Sequence, residues 1–459
     1  MVRNPYDGTV VGTVGQATGE QVDRAVAAAA EVAPTTAALP AHVRSDACRH
    51  VADRLAADAE QVAQLITAEN GKPIQWARIE VARAVSTFGW AAEEARRFAG
   101  RMQRLDTDPG AVGRLALTRR FPIGPVLGIT PFNFPLNLVA HKVAPAIAVG
   151  APVVVKPAPA TPLSALYLGE LLAETGLPAG AFSVLPIPNS AAPALAADPR
   201  LPVVSFTGSD TVGWALREAL PRKHVTLELG GNAAAILCED WSDAADLDFA
   251  CRRIATFGYY QAGQSCISVQ RVLVHRSRYR EVVDRLAAAV AALTTGDPTD
   301  PDCVVGPMIS AEAAGRVADW IEEARTAGAT VVVGGRRDGA QLAPTLLTDV
   351  PEGTKVLDRE IFGPVVSVAA VDDLSEGIAA VNRSRFGLQA GVFTRRYDVA
   401  ARAHRELAVG GVIIGDVPSF RADQMPYGGV KDSGVGREGV ASAMEDYTQP
   451  RVMVLPDML

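Results

Sequence analysis

The pattern of apolar and polar positions predicts helices over most of the first hundred residues. The segment Thr18-Gly-Glu-Gln21 has the spacing of a capping box and precedes an Ala-rich amphipathic run. Gly71-Lys-Pro73 ends one helix, and the periodicity predicts another over about 74–98. The segment 114–121 then alternates between apolar and polar residues, which predicts a strand.

From Val126 the pattern changes to short apolar runs that alternate with helical stretches. We expect helices at 162–175 and 209–220, and strands at 126–130, 153–156, 182–185, 203–206 and 225–228. Repeated strand–helix–strand units of this kind predict a parallel, doubly wound sheet. Ligands of such a sheet bind at the carboxyl ends of its strands.

A second series of the same type follows, and it predicts a second sheet that shares one cleft with the first. Helical patterns occur near 243–260, 279–293 and 311–327. Strand patterns occur at 269–274, 330–333, 365–371 and 391–393, and a terminal strand is predicted at about 447–455. The chain is therefore predicted to be an α/β protein.

Composition narrows the classes of protein that fit. The chain has 459 residues, 44 Lys plus Arg against 51 Asp plus Glu, and a net charge of −7, without the basic face of a nucleic-acid binder. Five cysteines without a CxxC pair argue against a disulfide framework and a zinc site. The uncharged stretch 121–140 is long enough to span a bilayer, but its four prolines preclude a regular helix.

The chain also begins without the pattern of a signal peptide. These features together predict a cytoplasmic enzyme that has no metal and no nucleic-acid or membrane partner.

Four loops carry groups that can do chemistry, and each follows or adjoins a predicted strand. Pro131-Phe-Asn133-Phe-Pro135 holds an amide that can donate to a developing oxyanion, although a proline-rich turn is the alternative. Phe206-Thr-Gly208-Ser209 ends a strand and begins a helix, which makes it an anion site or an ordinary N-cap.

The other two loops supply an acid and a thiol. Glu228-Leu-Gly230-Gly231 closes a parallel strand, so Glu228 is a general base in the crevice or a surface carboxylate before a turn. Gly263-Gln-Ser265-Cys266 holds a cysteine that is an activated nucleophile or a small buried hydrophobe. The second alternative is our prediction for the remaining cysteines, which are Cys48, Cys238, Cys251 and Cys303.

One motif is predicted to be accidental. Gly434-Val-Gly436-Arg-Glu-Gly439 matches the dinucleotide fingerprint GxGxxG, but a polar loop precedes it and no room for a βαβ unit follows. We expect these glycines to shape a turn.

Together and in this order, the four loops resemble the aldehyde dehydrogenase superfamily. Matching segments run from Asn4-Pro-Tyr-Asp-Gly8 to Tyr447, essentially the whole chain, and include Lys156-Pro-Ala158, Glu360-Ile-Phe362-Gly-Pro364 and Pro426-Tyr-Gly-Gly-Val-Lys431. The resemblance implies a Rossmann-like cofactor domain (1–104 and 123–229), an α/β catalytic domain (230–436) and a small β arm for oligomerisation (105–122 and 437–459).

The resemblance also implies a reaction, the oxidation of an aldehyde to the carboxylic acid with reduction of NAD or NADP. Cys266 would form a thiohemiacetal and then a thioester, with the oxyanion held by Asn133 and the Cys266 backbone N–H. Glu228 would activate water to hydrolyse the thioester. Lys142 and Glu438 are similar to a proton-relay pair near this base.

The cofactor and substrate contacts are implied in the same way. Cofactor contacts would come from Thr130, Pro131, Phe132, Lys156, Pro159, Gly208, Ser209, Glu228, Leu229, Glu360 and Phe362. Pro159 stands where NAD-preferring members commonly carry a Glu, so NAD against NADP stays open. The tunnel wall would include Phe134, Leu138, His141, Tyr260, Ser265 and Tyr427.

Arg421 falls where the mouth of this tunnel is expected. With His141 it would suit a short polar or anionic aldehyde. The alternative is that Arg421 pairs with Asp423 or faces water.

Two other functions stay open, a CoA-acylating enzyme and a catalytically silent binding protein on the same fold. The first typically lacks the Glu228 carboxylate, and the second would be expected to lose the thiol or the base; both groups are present. The family usually forms dimers or tetramers, so a homodimer or homotetramer is expected, through strands at about 105–121 and 447–455.

Overall fold

The computed structural model describes residues 1–456. A hairpin of β1 (Val2–Arg3) and β2 (Val10–Gly12) precedes four helices, which are α1 (Gly19–Ala38), α2 (Ala41–Ala57), α3 (Ala59–Asn70) and α4 (Ile74–Arg97). The predicted capping box is confirmed, because the side chain of Thr18 accepts from the Gln21 amide and the Gln21 side chain accepts from the Thr18 amide. The helix predicted over 74–98 is α4.

Two antiparallel strands follow these helices. They are β3 (Arg101–Arg104) and β4 (Arg114–Pro122), and β4 confirms the strand that alternation predicted at 114–121. The uncharged stretch 121–140 is divided between the end of β4, a strand, a loop and the start of a helix. Within residues 1–456, no helix is both long enough and apolar enough to cross a membrane.

The first α/β series forms a parallel sheet. Its elements are β5 (Val126–Ile129), α5 (Asn137–Val149), β6 (Val153–Lys156), α6 (Leu163–Ala173), β7 (Phe182–Val184), α7 (Ala192–Ala197), β8 (Val203–Thr207), α8 (Asp210–Ala219) and β9 (His224–Glu228). The strands run in the order β9-β8-β5-β6-β7. The predicted strands agree to within one residue at each end, because each is a short apolar run between clear helical patterns.

The second series begins with β10 (Ala234–Leu237), α9 (Ala244–Tyr259), β11 (Arg271–His275), α10 (Tyr279–Ala291), α11 (Ala311–Ala327) and β12 (Thr330–Val333). It continues with β13 (Arg337–Asp338), β14 (Gln341–Leu342), β15 (Thr345–Thr348), α12 (Lys355–Asp358), β16 (Val365–Val371), α13 (Leu374–Asn382), β17 (Phe386–Gly387), β18 (Gln389–Phe393), α14 (Tyr397–Glu406) and β19 (Gly411–Ile414). The main sheet has the order β12-β15-β16-β11-β10-β18-β19, and only the β12–β15 pair is antiparallel.

Three strands of this sheet were not predicted. They are β10, β15 and β19, four residues each, and their sequences are Ala-Ala-Ile-Leu, Thr-Leu-Leu-Thr and Gly-Val-Ile-Ile. Runs this short do not alternate, so periodicity cannot distinguish them from loop or helix.

The last elements return to the first half of the molecule. They are β20 (Val430–Lys431), β21 (Gly434–Val435), α15 (Val440–Asp446) and β22 (Thr448–Pro456). β21 pairs antiparallel with β9, and β22 pairs with β4 from Thr448 opposite Pro122 to Pro456 opposite Arg114. Residues 457–459 of the predicted arm lie outside the described residues.

The structure agrees with the prediction that the GxGxxG match is accidental, because the match does not follow a strand of a βαβ unit. Gly434 pairs with Glu228 at the edge of the sheet, and Gly439 precedes α15 at a φ of 91°. The expectation of a simple turn was incomplete, because the first two residues of the match form β21.

Candidate active site

The loop after β5 holds the Asn133 side chain against the cysteine loop. Asn133 is buried, and its Nδ2 donates to the carbonyl of Gln264 at 3.0 Å. The Asn133 carbonyl accepts from Lys72 Nζ at 2.7 Å. The side chain and the backbone of Asn133 are therefore both held by hydrogen bonds. Gln264, which accepts from the side chain, lies two residues before Cys266.

Polar groups from α3, α4 and their connection support this loop. Lys72 and Glu80 form a fully buried ion pair. Glu80 Oε1 accepts from the amides of Leu136 at 2.9 Å and Asn137 at 3.0 Å, at the start of α5. Asn70 Nδ2 donates to the Phe132 carbonyl at 2.6 Å. Sequence reasoning missed Asn70, Lys72 and Glu80, since it treated Gly71-Lys-Pro73 only as a helix end.

The cysteine loop follows a strained backbone segment. Gln261, Ala262 and Gly263 have φ values of 40°, 58° and 66°, in the left-handed region that favours glycine. A Cβ at Gly263 would lie 2.2 Å from the carbonyl oxygen of Gly363, so this position requires glycine. The strain re-aims the chain between α9 and the cysteine.

The thiol of Cys266 contacts the hydroxyl of a tyrosine. Its Sγ lies 3.1 Å from the hydroxyl of Tyr427. Burial raises the pKa of the Cys266 thiol to about 12, against an opposing hydrogen bond from Tyr427. The other cysteines are unpaired, and of these Cys48, Cys251 and Cys303 are buried while Cys238 is half-buried.

Glu228 is a buried carboxylate at the carboxyl end of β9. Neither of its oxygens has a hydrogen-bond partner within the described part of the chain. Burial, with the nearby charge of Glu438, raises the pKa of Glu228 well above its ordinary value. A Cβ at Gly428 would lie 2.8 Å from Glu228 Oε1, so the neighbouring backbone approaches closely. The surface alternative for Glu228 is therefore wrong.

An ion-pair network adjoins Glu228. Lys142 Nζ donates to Glu438 Oε1 at 3.1 Å, to Thr207 Oγ1 at 2.7 Å and to Ser205 Oγ at 3.0 Å. Burial favours the neutral acid at Glu438, but the charges of Lys142 and Arg421 prevail and lower its pKa to about 2. The structure thus brings Lys142 and Glu438 together, as expected, and keeps Glu438 ionised.

The alternative for Arg421, which was pairing with Asp423 or exposure to water, is wrong. Its side chain is 6% exposed and its Nη2 donates to Glu438 Oε2 at 3.0 Å, so it neither faces water nor pairs with Asp423. Its guanidinium stacks on the ring of Tyr427, with Cζ 3.7 Å from the centroid. The physical reason is that a buried guanidinium requires a carboxylate, and Glu438 is the one within reach.

His141 belongs to a second buried cluster. Asp423 Oδ1 lies 2.9 Å from His141 Nε2, and it accepts from Arg83 at 2.8 Å and Asn137 at 3.2 Å. Burial and the charge of Arg421 lower the pKa of His141. The ring is therefore neutral near pH 7 and donates from Nε2, because the Asp423 carboxylate only accepts. Arg83, on α4, was missed by the sequence analysis.

Other residues assigned to the tunnel wall surround these groups. Phe134 carries Lys72 Nζ at 4.1 Å and Arg83 Cζ at 5.7 Å from its ring centroid. Tyr260 and Leu138 are buried, as is Ser265 beside the cysteine. Tyr260 packs edge-on against Trp76 with centroids 5.5 Å apart.

A second group of residues lies at the ends of β6, β8 and β9 and in the loop of Glu360. Lys156 Nζ donates to Asn189 Oδ1 at 2.8 Å, and burial lowers its pKa to about 8. Ser209 precedes α8, and its side chain makes no capping bond. Glu360 Oε1 accepts from the Gly231 amide at 2.9 Å, and burial raises the Glu360 pKa to about 8.

Aromatic and small residues complete this second group. Phe362, at a φ of 48°, packs edge-on against Phe132 with centroids 5.8 Å apart. The Thr130 amide donates to the Lys156 carbonyl at 3.1 Å, and Leu229 is buried. Pro131 is half-buried and Pro159 is exposed. A Cβ at Gly208 would lie 2.7 Å from the ring of Phe206.

The arrangement offers a thiol, an amide donor and an unpartnered carboxylate beside a helix N-terminus, an ammonium group and a second carboxylate. The first three are the parts that acyl transfer needs. Among the residues that the structure describes, no three His, Cys, Asp or Glu side chains are grouped to hold a metal ion.

Comparison with known proteins gives the same picture. Residues 1–453 match the profile of the aldehyde dehydrogenase family. The chain is 41% identical to 3-sulfolactaldehyde dehydrogenase of Priestia megaterium, over 99% of this chain and 94% of that protein. It superposes on aldehyde dehydrogenase 21 from Physcomitrella patens, in complex with the reaction product succinate, with a TM-score of 0.97 and 44% identity, over 100% and 95% of the two chains.

A third relative carries a bound nucleotide. The NADP-dependent glyceraldehyde-3-phosphate dehydrogenase of Bacillus halodurans, complexed with NADP, matches with a TM-score of 0.95 and 34% identity, over 99% of this chain and 95% of that chain. With the profile match over nearly the whole length, these likenesses confirm the resemblance that the four loops carried. The chain belongs to the aldehyde dehydrogenase family.

Proposed function

We propose that this protein oxidises an aldehyde to the carboxylic acid with NAD or NADP as the oxidant. The observation that carries the proposal is the placement of Glu228 beside the cysteine site, as a buried carboxylate with no hydrogen-bond partner among residues 1–456. Burying a carboxylate without hydrogen-bond partners costs folding free energy, so its presence here indicates a function. Hydrolysis of a thioester requires a base, and Glu228 can be that base.

The reaction divides among three side chains. The Cys266 thiolate adds to the aldehyde carbon. Asn133 Nδ2 donates one of its two hydrogens to the Gln264 carbonyl, so the other can donate to the developing oxyanion. The backbone N–H of Cys266 would be the second donor. Once the aldehyde hydrogen had left as hydride to the bound nicotinamide, a thioester on Cys266 would remain. Glu228 would then take a proton from the attacking water, and this attack would release the carboxylic acid and the Cys266 thiolate. The raised pKa of Glu228 makes it a stronger base for this step.

The residues at the ends of β6, β8 and β9 fit a nicotinamide dinucleotide, which supplies a hydride acceptor when bound. Ser209 leaves the N-terminus of α8 uncapped by its side chain, and Gly208 before it has no side chain, since a Cβ there would lie 2.7 Å from the ring of Phe206. We propose that this N-terminus binds the pyrophosphate and that Lys156 and Glu360 bind the two riboses. With Pro159 exposed and offering no carboxylate, the preference between NAD and NADP stays open.

For the substrate we propose a short aldehyde with a polar or anionic second group. Two aromatic residues assigned to the tunnel wall each carry a guanidinium, Phe134 with Arg83 and Tyr427 with Arg421. Sulfolactaldehyde and aspartate-semialdehyde, which stand in the names of two relatives, and succinate, which is bound to a third, each carry a sulfonate or carboxylate group.

The test is a panel of aldehydes followed by absorbance at 340 nm, with NAD and with NADP, with and without CoA. Succinate semialdehyde and butanal have the same chain length and differ in charge, so we expect a higher kcat/KM for the first. Arg83→Met should narrow that difference by about tenfold or more, since a charge-assisted hydrogen bond contributes about 1.5–3 kcal/mol. Acyl-CoA as the product, or no NAD(P)H from any aldehyde, would overturn the proposed reaction.

We also propose the three-part organisation predicted from the sequence, with 105–122 and 437–459 as an arm that joins subunits into a homodimer or homotetramer. β22 is an edge strand of its sheet, and Val452, Met453 and Val454 are 59%, 51% and 49% exposed. Exposed apolar residues on an edge strand favour pairing with another chain. Light scattering would test the assembly. A cytoplasmic location stays a prediction. The unpaired cysteines fit it, because the cytoplasm keeps thiols reduced.

A further inference from the structure

Tyr427 was assigned to the wall of the substrate tunnel, a role that needs its ring, but its hydroxyl contacts the sulfur of Cys266. It lies 3.1 Å from Cys266 Sγ, and the ring is buried. Its backbone is fixed by paired hydrogen bonds with Glu438, at 3.0 Å and 2.7 Å. The phenol is thus held in place at the sulfur of the reacting cysteine by a part of the chain far from the cysteine loop.

The direction of this hydrogen bond follows from the chemistry of its two atoms. A thiol is a weak donor, and a thiolate can only accept. Burial raises the pKa of Tyr427 well above its ordinary value, so the phenol keeps its proton. Tyr427 therefore donates to Cys266 whenever the thiolate is present.

Arg421 strengthens the phenol as a donor. Its guanidinium carbon lies 3.7 Å from the ring centroid of Tyr427, and it is held there by Glu438. A cation over an aromatic face withdraws charge from the ring, which makes the attached O–H a stronger hydrogen-bond donor. The ion pair and the phenol form one chain from Glu438 to the sulfur.

Charged and titratable groups face Cys266 from each element around it. Glu228 and Glu360 disfavour the thiolate, and Arg421 favours it. The groups that interact with the thiol are Tyr427, Glu360, Arg421, Glu228 and Tyr260. Among the described residues, the Tyr427 hydroxyl is the one group that hydrogen-bonds to the sulfur.

We propose that Tyr427 is a catalytic residue whose hydroxyl donates to the Cys266 thiolate and stabilises it before the attack on the aldehyde. The proposal rests on the proposed function, since it takes Cys266 as the nucleophile. When the sulfur lone pair forms the bond to the aldehyde carbon, the negative charge leaves the sulfur for the aldehyde oxygen. The hydrogen bond to sulfur then weakens, and the phenol keeps its proton throughout.

The gain in reaction rate depends on how far the pKa of the thiol lies above the working pH. A hydrogen bond that lowers a thiol pKa also lowers the nucleophilicity of its thiolate, with a sensitivity of about 0.4–0.5. For a thiol whose pKa lies far above the working pH, the larger thiolate fraction outweighs this loss. Cys266, partly buried at Tyr427 and near the carboxyl groups of Glu228 and Glu360, meets that condition.

The test is the pH profile of alkylation by iodoacetamide, measured at Cys266 by mass spectrometry in wild type and in Tyr427→Phe. The variant retains the ring and its contact with Arg421 and loses only the hydroxyl. We expect the apparent pKa of Cys266 to rise by about one unit, the effect typical of a hydrogen bond to a charged group. At neutral pH the alkylation rate should fall about threefold, a tenfold loss of thiolate offset by greater nucleophilicity.

Tyr397→Phe is the matched control, because Tyr397 is 87% exposed and distant from these contacts. It should leave the profile unchanged, and thermal unfolding should show that both variants are folded. With a good aldehyde, Tyr427→Phe should slow the first-turnover burst of NAD(P)H and leave thioester hydrolysis unchanged.

An alkylation profile of Tyr427→Phe identical to that of wild type would overturn the proposal. The measurement needs no aldehyde, so it is independent of the proposed reaction. A shifted profile in a protein that oxidises no aldehyde would refute the proposed function and leave the contact between Tyr427 and the thiolate established.

Discussion

Two buried polar regions adjoin the cysteine, and they treat their charges in opposite ways. Around the Asn133 loop every ion has partners, since Lys72 pairs with Glu80 and the Asn133 carbonyl, and Glu80 accepts from two amides of α5. At Glu228, in contrast, both carboxylate oxygens lack a hydrogen bond from any residue that the structure describes.

The difference separates a group that must stay still from one that must react. An oxyanion donor is effective when it is already in place, so its support is fully hydrogen-bonded. A base must take up a proton, and partners that stabilise the carboxylate would lower its pKa and weaken it. Four of the following five predictions test this contrast. The first four predictions run from the largest expected effect on turnover to the smallest, and the last concerns stability.

The largest effect should come from removing the thiol that both regions serve. Cys266→Ala should abolish dehydrogenase activity, because no other group can form the thioester, while cofactor binding and the fold survive. Cys251→Ala is the control, since Cys251 is buried in α9 and should cost stability at most. Near-normal NAD(P)H formation by Cys266→Ala would contradict the mechanism.

The next effect should come from the unpartnered carboxylate. Glu228→Gln keeps the shape and removes the base, and loss of a general base costs about 10²–10⁴ in the step that it serves. Stopped-flow measurement should show a first-turnover burst of NAD(P)H followed by slow turnover, with an acyl adduct on Cys266 visible by mass spectrometry.

If Glu228 also deprotonates Cys266, the burst itself should slow. Ordinary turnover without an adduct would move water activation elsewhere, and the pair Lys142 and Glu438 would be the nearest alternative.

Removing the held donor should cost less. Asn133→Ala should lower kcat/KM by about 10²–10³, the usual cost of losing one oxyanion donor, without unfolding the protein. A loss below about threefold would remove Asn133 from this role. The burst should slow in this variant, which distinguishes it from Glu228→Gln.

Breaking the support of that donor should have a smaller effect on turnover. Lys72→Met leaves Glu80 buried without its cation, which typically costs about 3–5 kcal/mol of stability. We expect kcat to fall about tenfold or less, because Asn133 keeps its side chain and loses one backbone partner. Adding Glu80→Gln should recover stability, measured by denaturant unfolding, without recovering kcat.

The smallest effect concerns stability and pH. Because the folded-state pKa of Glu228 is raised above its unfolded value, stability falls as pH rises from the ordinary glutamate range through the folded-state pKa. Glu228→Gln carries no charge at any pH, so its Tm should exceed that of wild type at neutral pH and equal it in acid. For a chain of this length the rise is about 1 °C per kcal/mol. A Tm difference that does not depend on pH would contradict the assignment.

The sequence predicted most of the elements for a simple reason. In the first sheet, short apolar runs such as β6 stand between long helical patterns, and this context identifies them as strands although they carry no period of their own. Strands such as β19 escaped because four apolar residues without alternation carry no period.

Loop composition and the resemblance to the family together indicated the candidate site residues, but the residues that support them were not predicted. Cys266, Glu228 and Asn133 stand in motifs that signal reactive groups. Lys72 and Arg83 gave no such signal, because each acts through contacts with residues far away in the chain, Asn133 and Asp423. The partner of Arg421 was not predicted for the same reason, since only the fold brings Glu438 to it.

The pairing of β21 with β9 has a consequence for how the protein is made. Gly434 lies beside Glu228, and Glu438 and Tyr427 come from the same late stretch of chain. While that stretch is still inside the ribosome, the edge of β9 is open, Lys142 has no carboxylate and Cys266 has no phenol. The sheet can form early during synthesis, yet the nucleophile and base receive their surroundings only after residues 427–438 have emerged, so a chain without them holds no complete site.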